Sequence, residues 1–168
     1  MYSVGDKVVY PVHGAGVVEA IESREVAGRR RDYYVLHLPF SALRVMVPLE
    51  EAEKVGLRDV MSAEDSRRVL RILEEGGSGQ RSADDKWSQR FRSQMGRIKT
   101  GDVYELAEIV QGLNRRDRRR PLAAGEKKFF EQAREILLSE LWLVCHEKQP
   151  EIMRRAEEIL RRQSGDRR

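Results

Sequence analysis

Apolar and polar residues alternate in short runs over the first part of the chain. Four of these runs, rich in valine, tyrosine and isoleucine, are KVVY at 7–10, GVVEAIE at 16–22, DYYVLHL at 32–38 and LRVMVP at 43–48. Glycines in VHGAG and VAGRRRD supply turns, and Pro11 and Pro48 fall at strand ends, where a missing N–H is tolerated. Short strands with tight connections predict a small twisted barrel of the SH3 or Tudor type.

After the fourth run the apolar period becomes helical. The stretch SAEDSRRVLRIL begins with Ser62 and Asp65 at the spacing of a capping box and carries an apolar stripe. A run rich in glycine and serine follows at about 75–84 and predicts a flexible connection. We therefore expect a two-domain α+β chain, with a small Tudor/SH3-like β-barrel at 1–60 and a compact all-α domain at 61–168.

The rest of the chain contains amphipathic segments that predict a helical bundle. Asp102 and Glu105 form a second capping-box pair, and Pro150 fits the first turn of the last helix. Two apolar stripes at helical spacing predict the core between these helices. They comprise Leu106, Ile109, Val110 and Leu113 in the first stripe, and Phe130, Ala133, Ile136, Leu137, Leu141 and Val144 in the second.

The composition limits the classes of function. Hydrophobic residues make up 40% of the 168 residues and charged residues 36%, and no apolar run approaches the roughly 20 residues that span a bilayer. The first residues lack the basic and apolar regions of a secretory signal, and the single cysteine, Cys145, excludes an internal disulfide. These features predict a cytoplasmic protein without membrane association, in which Cys145 is a buried thiol.

The net charge of +4 is unevenly distributed along the chain. Residues 1–60 carry 8 Lys and Arg against 9 Asp and Glu, whereas residues 86–128 carry 12 against 5. Local positive charge of this kind attracts phosphates, although solvated helix faces explain such a stretch equally well. The charge pattern therefore leaves open both a nucleic-acid surface and a surface that only keeps the protein soluble.

The residues that could carry catalysis do not form a catalytic or metal-binding pattern. His13, His37 and His146 lie in separate elements without metal-ligand spacing. The glycine-rich GGSGQR lacks the preceding strand of a phosphate-binding loop, and no Gly-Lys-Ser/Thr follows it. We therefore expect neither enzymatic activity nor a cofactor.

Trp87 begins the basic helical segment KWSQRFRSQMGRIK. Phe91, Met95 and Ile98 follow it at spacings that put them on one helix face, so we expect these three to pack inward. Trp87 itself sits in the first turn, beside the expected flexible connection. From the residues alone, a core tryptophan and an apolar ring presented to nucleic-acid bases both stay open.

Cations surround this tryptophan and recur further along the chain. Lys86, Arg90 and Arg92 flank it and could hold phosphates. Lys127 and Lys128 open a later helix, whose free N–H groups also suit a phosphate. The arginine-rich run at 114–120 closes a helix, where phosphate contact and stabilisation of the helix end compete as explanations.

Taken together, these segments resemble the CarD/CdnL family of bacterial transcription regulators along almost the whole chain. The matching stretches, in this order and spacing, are VGDKVVYPVHGAGVVEAIE, YYVL, RVMVP, VGLRDV, KWSQRFR, KTGDVYELAEIVQGL and LAAGEKKFFEQAREILLSEL. The first part also resembles the RNA-polymerase-interacting module of the transcription-repair coupling factor, but no helicase motifs are found here. Since the chain ends at Arg168 without a further DNA-binding tail, we expect the short, stand-alone form of the family.

For the helical part, the resemblance implies binding of promoter DNA at the upstream edge of the transcription bubble. Trp87 matches a family tryptophan that acts as a wedge in the minor groove and keeps the bubble open. Arg90, Arg92 and Lys127 match cations that contact phosphates. Gln89 replaces a basic residue of some relatives, which slightly weakens this set. The implied function is non-enzymatic stabilisation of the polymerase–promoter open complex.

For the N-terminal part, the resemblance implies docking on the β subunit of RNA polymerase. Arg24 matches an interface arginine of the family, and Met46 and Pro48 fall in the matching interface strand. Some relatives have an arginine in place of Met46, so the contact is more apolar here. Because side chains alternate along a strand, Arg44 shares the face of Met46 and could supply the missing charge.

A second interpretation belongs to a different class of protein. In it the chain is a protein-interaction adaptor without direct DNA contact, and the basic helices only keep it soluble. DNA affinity that falls with rising salt would favour the transcription factor, whereas no DNA binding at low salt with polymerase present would favour the adaptor. We expect a monomer.

Overall fold

The computed structural model describes residues 1–11, 13–75 and 102–165, with the side chains of the last helix described as far as Leu160. The expected flexible connection at about 75–84 lies outside these residues apart from Glu75, and so does the expected helix that begins near Trp87. The described residues form an N-terminal antiparallel sheet followed by a helical region.

Five antiparallel strands form the sheet. They are β1 (Lys7–Tyr10), β2 (Gly14–Val26), β3 (Arg29–Leu38), β4 (Leu43–Pro48) and β5 (Arg58–Asp59), in the spatial order β4-β3-β2-β1-β5. The expected Tudor-like fold is confirmed. The β2–β3 hairpin extends beyond the apolar runs, through polar residues, to a turn at Ala27 and Gly28. Both turn residues have positive φ, 53° and 78°, as tight turns between twisted strands require.

One face of the sheet carries its hydrophobic core. A short 3-10 turn, Leu49–Glu51, follows β4 and helps to cover this face. Burying one such Val or Leu side chain is worth about 1.5–3 kcal/mol. The buried residues are Val8, Val18, Tyr34, Leu36, Leu38, Val47, Ala52 and Leu57. Since successive side chains point to opposite faces, Val9, Ala15 and Val17 lie on the other face, where they pack near the helical residue Leu143, and exposed polar residues occupy this face further along the sheet.

Four helices are described after the sheet: α1 (Ala63–Glu75), α2 (Val103–Arg119), α3 (Ala124–Cys145) and α4 (Pro150–Gly165). The expected capping box of α1 is present, because the backbone N–H of Ser62 donates to the Asp65 carboxylate and the N–H of Asp65 donates to the Ser62 hydroxyl, both at 3.0 Å. The Asp102 carboxylate caps α2 by accepting from the N–H groups of Tyr104 and Glu105.

The predicted apolar stripes form the core between the helices. The buried members from the stripes are Val69, Leu73, Leu106, Ile109, Val110, Leu113, Phe130, Ala133, Ile136, Leu137 and Leu141. Val144, at the end of its stripe, is only partly buried. Among the described residues, no helix is both long enough and apolar enough to cross a membrane.

Helix α3 joins the helices to the sheet. Its second half packs against β2, and Leu143 forms a small buried cluster with Val9 and Ala15 from the strands. The ammonium group of Lys7 donates to the carbonyl oxygen of Leu143 at 3.3 Å. The same helix therefore belongs to the helical core and to the surface that covers the strands.

Tyr104 and Asp65 connect α2 to α1, the two helices that flank residues 76–101. The Tyr104 hydroxyl donates to the Asp65 carboxylate, and the Arg68 guanidinium lies 4.2 Å from the centre of the Tyr104 ring. The hydrogen bond from Tyr104, with further hydrogen bonding by Ser62, holds the pKa of Asp65 below its usual value. The Tyr104–Asp65 contact therefore stabilises the ionised carboxylate.

Replacing Tyr104 by Phe removes this donor and should lower the free energy of unfolding by about 1 kcal/mol at neutral pH. Because the pKa of Asp65 is lowered by folding, its contribution is complete above the ordinary aspartate pKa of about 3.9 and is lost as pH falls through the folded-state value. Urea unfolding should therefore show a smaller difference between Tyr104→Phe and wild type under acidic conditions. Tyr10→Phe is the matched control, since no described residue hydrogen-bonds its hydroxyl. A difference independent of pH would contradict this role of Asp65.

Candidate functional site

The exposed face of β4 presents three of the residues expected to contact a protein partner. Arg44, Met46 and Pro48 alternate along the strand with Val47, which is buried in the sheet core. Met46 is 39% exposed, unusual for a large apolar side chain in the middle of a strand. The alternation predicted from the sequence for Arg44 and Met46 therefore matches the burial pattern of the strand.

Strand register brings Arg24 to the same face. The cross-strand rows are Pro48–Tyr33–Glu22 and Met46–Val35–Ala20. Arg24 lies two residues beyond Glu22 on β2, so it points to the side of Pro48 and Met46. We call this surface the outer sheet face and define it by Glu22, Arg24, Tyr33, Arg44, Met46 and Pro48. It combines an apolar centre with two arginines and spans three strands.

Both arginines of the outer sheet face are paired with glutamates of β2. A guanidinium nitrogen of Arg24 lies 3.0 Å from a carboxylate oxygen of Glu22, and one of Arg44 lies 2.8 Å from Glu19. The two arginine side chains are 58% and 62% exposed, and such exposed pairs contribute only about 0–1 kcal/mol. A carboxylate on a partner could therefore replace either glutamate at little cost.

These glutamate partners were not predicted from the sequence. Glu19 lies at a β-bulge, where the β2–β3 register shifts between Val18 and Ala20. The bulge shifts the alternation of β2 beyond it, so Glu22 and Arg24 lie on the face of Met46 although counting from the buried Val18 puts them on the core face. Glu19 points to the outer face by ordinary alternation from Val18, and it reaches Arg44 across one intervening strand, β3.

A second charged surface lies where α2 ends and α3 begins. We call it the basic edge; its exposed residues are Arg115, Arg118, Arg119, Arg120, Lys127 and Lys128. Lys127 and Lys128 lie in the first turns of α3, as expected from the sequence. The chain reverses direction between the two helices, so the arginine-rich end of one and the two lysines of the other belong to one end of the helical region.

The carboxylate in the first turn of α3 is paired with an arginine near the end of α2. Glu126 is the acidic residue in the first turn of α3, and its carboxylate lies 2.6 Å from the Arg116 guanidinium. The N-cap residue, Ala123, offers no side-chain acceptor to the helix N–H groups. These residues line a cleft of about 490 Å³ together with Arg119 and Arg120. Arg116 therefore has an internal partner, which the sequence did not reveal.

The expected tryptophan site lies outside the described residues. This holds for Trp87 and for the cations expected around it, Lys86, Arg90 and Arg92. Their roles stay predictions. The described helices on either side of this segment are α1, which ends at Glu75, and α2, which begins at Val103.

Among the described residues, Cys145 and His146 have reactive side chains, and both are packed against other parts of the protein. Cys145 is fully buried, and burial raises the pKa of its thiol, which keeps it protonated and weakly nucleophilic. The His146 ring stacks on the Trp142 indole, with ring centres 4.0 Å apart. No group of three or more His, Cys, Asp or Glu side chains within the described ranges is arranged to hold a metal ion.

Comparison with known proteins gives matches to both halves of the chain. The family model for the CarD-like/TRCF RID domain matches residues 2–61, and that for the C-terminal domain of CarD matches residues 68–157. The chain is 35% identical over 144 residues to the putative transcription factor YdeB of Bacillus subtilis, covering 86% of this chain and 92% of that protein. It is also similar to the solution structure of the 72-residue N-terminal domain of Myxococcus xanthus CarD, with 36% identity, 35% of this chain and 79% of that chain covered, and a TM-score of 0.31.

Proposed function

The chain belongs to the CarD/CdnL family of transcription regulators, and from this premise we propose that it binds the RNA polymerase β subunit and promoter DNA at the same time. Transcription regulation and interaction with RNA polymerase are functions of the family. In our proposal the outer sheet face docks on the β subunit, while the helical region contacts DNA at the upstream edge of the transcription bubble. Simultaneous binding stabilises the open complex, a task that requires no catalytic step.

The observation that carries the polymerase half of the proposal is the composition of the outer sheet face. Met46 offers exposed apolar surface between two arginines, and methionine and arginine are both enriched in protein–protein interfaces. In addition, β4 lies at an edge of the sheet. An edge strand can pair its backbone with a strand of a partner. The face and the edge together suit a partner that contributes both a strand and carboxylates.

The basic edge supports the DNA half of the proposal. Lys127 and Lys128 are exposed beside the N-terminus of α3, and Arg116 neutralises the nearby carboxylate of Glu126. Cations and helix N-termini of this kind contact phosphates without reading base sequence. We therefore expect DNA affinity that falls with rising salt and depends little on sequence.

Trp87 is the residue that we propose to act on the bubble itself. The family resemblance assigns it the role of a wedge in the minor groove, with Lys86, Arg90 and Arg92 on the adjacent phosphates. Unstacking a base step costs a few kcal/mol, and an inserted apolar ring offsets that cost only in the distorted DNA. Such a wedge stabilises the open form over the closed form and responds to deformability more than to base identity.

We predict that Met46→Glu weakens binding to RNA polymerase and that Leu43→Glu does not. Both residues are exposed and apolar and both lie on β4, but alternation puts Leu43 on the opposite side of the strand. A glutamate at 46 would place a third carboxylate beside Glu19 and Glu22 and repel an acidic partner surface. Affinity for the isolated β subunit, measured by titration calorimetry, should fall about tenfold or more for Met46→Glu, equivalent to about 1.4 kcal/mol. Equal affinities for the two variants would contradict docking through the outer sheet face.

We predict that Trp87→Ala shortens the open-complex lifetime while leaving the fold and the affinity for polymerase unchanged. Loss of about 1.4 kcal/mol of wedge stabilisation corresponds to about a tenfold shorter lifetime. The lifetime is measured with purified polymerase and a promoter after addition of a competitor. Trp87→Phe is the matched variant, because it keeps an apolar ring and should retain part of the effect.

Two results would contradict the DNA half of the proposal. If Trp87→Ala unfolds, the tryptophan is a core residue and the wedge assignment is wrong. If the wild-type protein binds no DNA at low salt with polymerase present, the adaptor interpretation is correct.

A further inference from the structure

The carboxylate of Glu140 is fully buried where α3 meets the sheet. Both of its oxygens accept from the Arg58 guanidinium of β5, at 2.8 and 3.0 Å, so the pair is bidentate. The backbone N–H of Met61 donates to the same carboxylate at 2.7 Å. The negative charge of Glu140, a side chain of the helical region, is therefore compensated by Arg58 of the last strand and by the backbone of the segment that follows this strand.

Adjacent contacts fix α3 against β2. The Ser139 hydroxyl accepts from the backbone N–H of Ala15 at 3.0 Å and donates to the carbonyl oxygen of Ile136 at 2.7 Å. Gly14, with φ of 117°, lies so close that a Cβ there would be 2.8 Å from the Ser139 hydroxyl oxygen. Ser139 and Glu140 thus hold two different strands at consecutive positions of one helix.

Helix α3 also carries two of the proposed DNA contacts, Lys127 and Lys128. Lys127 lies 13 residues before Glu140 on the same continuous helix, which corresponds to about 20 Å along its axis at about 1.5 Å per residue. Between them, Phe130 and Ile136 are buried in the helical core. The helix therefore acts as a rigid connection between the sheet at one end and the basic edge at the other.

We infer that Glu140, held by Arg58, is a positioning residue for open-complex stabilisation. By fixing α3 to the sheet, the pair sets the direction and distance from the outer sheet face to the DNA-binding surfaces. When the outer sheet face is bound to polymerase, the DNA-binding surface is then already positioned at the edge of the bubble. Binding of DNA therefore costs no further conformational entropy between the two regions. The inference rests on the proposed function, because it requires that both surfaces are occupied together.

The test compares Glu140→Gln with Glu74→Gln in the full-length protein. An amide at 140 cannot neutralise Arg58, and its NH₂ group faces guanidinium donors. Glu74 also pairs with an arginine, Arg155 at 2.9 Å, but both residues lie within the helical region. Spin labels on exposed positions of the two regions, introduced as Glu53→Cys and Arg154→Cys, report the distribution of distances between sheet and helices.

We expect Glu140→Gln to broaden this distance distribution and to shorten the open-complex lifetime by about fivefold or more, since couplings between sites are typically worth about 5- to 150-fold. Affinity for the isolated β subunit and affinity for DNA at low salt should each stay unchanged, because neither surface is altered. Glu74→Gln should behave as wild type in all four measurements. A merely structural role for Glu140 would instead reduce the separate affinities together with the lifetime.

Two outcomes would overturn the inference, namely a wild-type distance distribution in Glu140→Gln, or a broadened one with a wild-type lifetime. Failure of the proposed function is recognised separately, because the wild-type protein would then not lengthen the lifetime of the polymerase–promoter complex at all. If Glu140→Gln does not fold, Ser139→Ala decides, since it removes the acceptor for the Ala15 N–H and a bond within α3 to the Ile136 carbonyl oxygen, but leaves the Glu140–Arg58 pair. It should broaden the distances and shorten the lifetime by a smaller factor, and an unchanged lifetime with broadened distances would overturn the inference.

Discussion

A carboxylate can be buried only where other groups compensate its charge, and for Glu140 those groups come from the other half of the chain. Arg58 supplies two hydrogen bonds and the backbone of Met61 a third. Removing one partner of a buried ion pair commonly costs about 3–5 kcal/mol, so separating the helices from the sheet at this point is unfavourable. The pair thereby constrains how the two structured regions meet. It stabilises one arrangement more than it stabilises either region alone.

This constraint determines how the outer sheet face and the basic edge are placed relative to each other. The sheet uses one face for its own core and leaves the outer sheet face for a partner, while the helical region places its cations where α2 ends and α3 begins. Neither surface alone can stabilise an open promoter. A polymerase contact adds no stability to melted DNA, and a few phosphate contacts cannot choose one position on a promoter. The function that we propose arises from their fixed separation along α3.

Local patterns predicted most of the fold because they depend on neighbouring residues. Strand alternation identified β4 from Leu43 to Pro48, and capping residues marked the start of α1 at Ser62 and of α2 at Asp102. The apolar stripes of the helices were identified because the spacing of apolar residues along a helix is the same whichever element they pack against. The β2–β3 hairpin was underestimated because its outer part consists of polar residues. There the backbone pairing and the Ala27–Gly28 turn define the strands, with little help from burial.

The candidate site was less predictable because its key contacts join residues distant in sequence. Alternation alone put Arg44 beside Met46, but the face of Arg24 required the bulge, and the pairing of Arg44 with Glu19 required the order of the strands. In LSELWLVC, Glu140 lies within the predicted apolar stripe, four residues after Ile136 and three after Leu137, so its spacing indicates burial but not what compensates its charge. Its partner Arg58 lies 82 residues earlier, and the two meet only when α3 docks on the sheet. The roles of Trp87 and its flanking cations came from the family resemblance, not from residue spacing.

The claim that one molecule contacts polymerase and melted DNA at the same time can be tested by site-specific photocrosslinking in a single open complex. Benzoylphenylalanine is placed at position 46 in one sample, at position 87 in a second, and at position 43 as a control. Position 46 should crosslink to the β subunit, position 87 to promoter DNA at the upstream edge of the bubble, and position 43 to neither. Crosslinks from position 87 to protein alone, or equal crosslinking to the β subunit from positions 46 and 43, would contradict the claim.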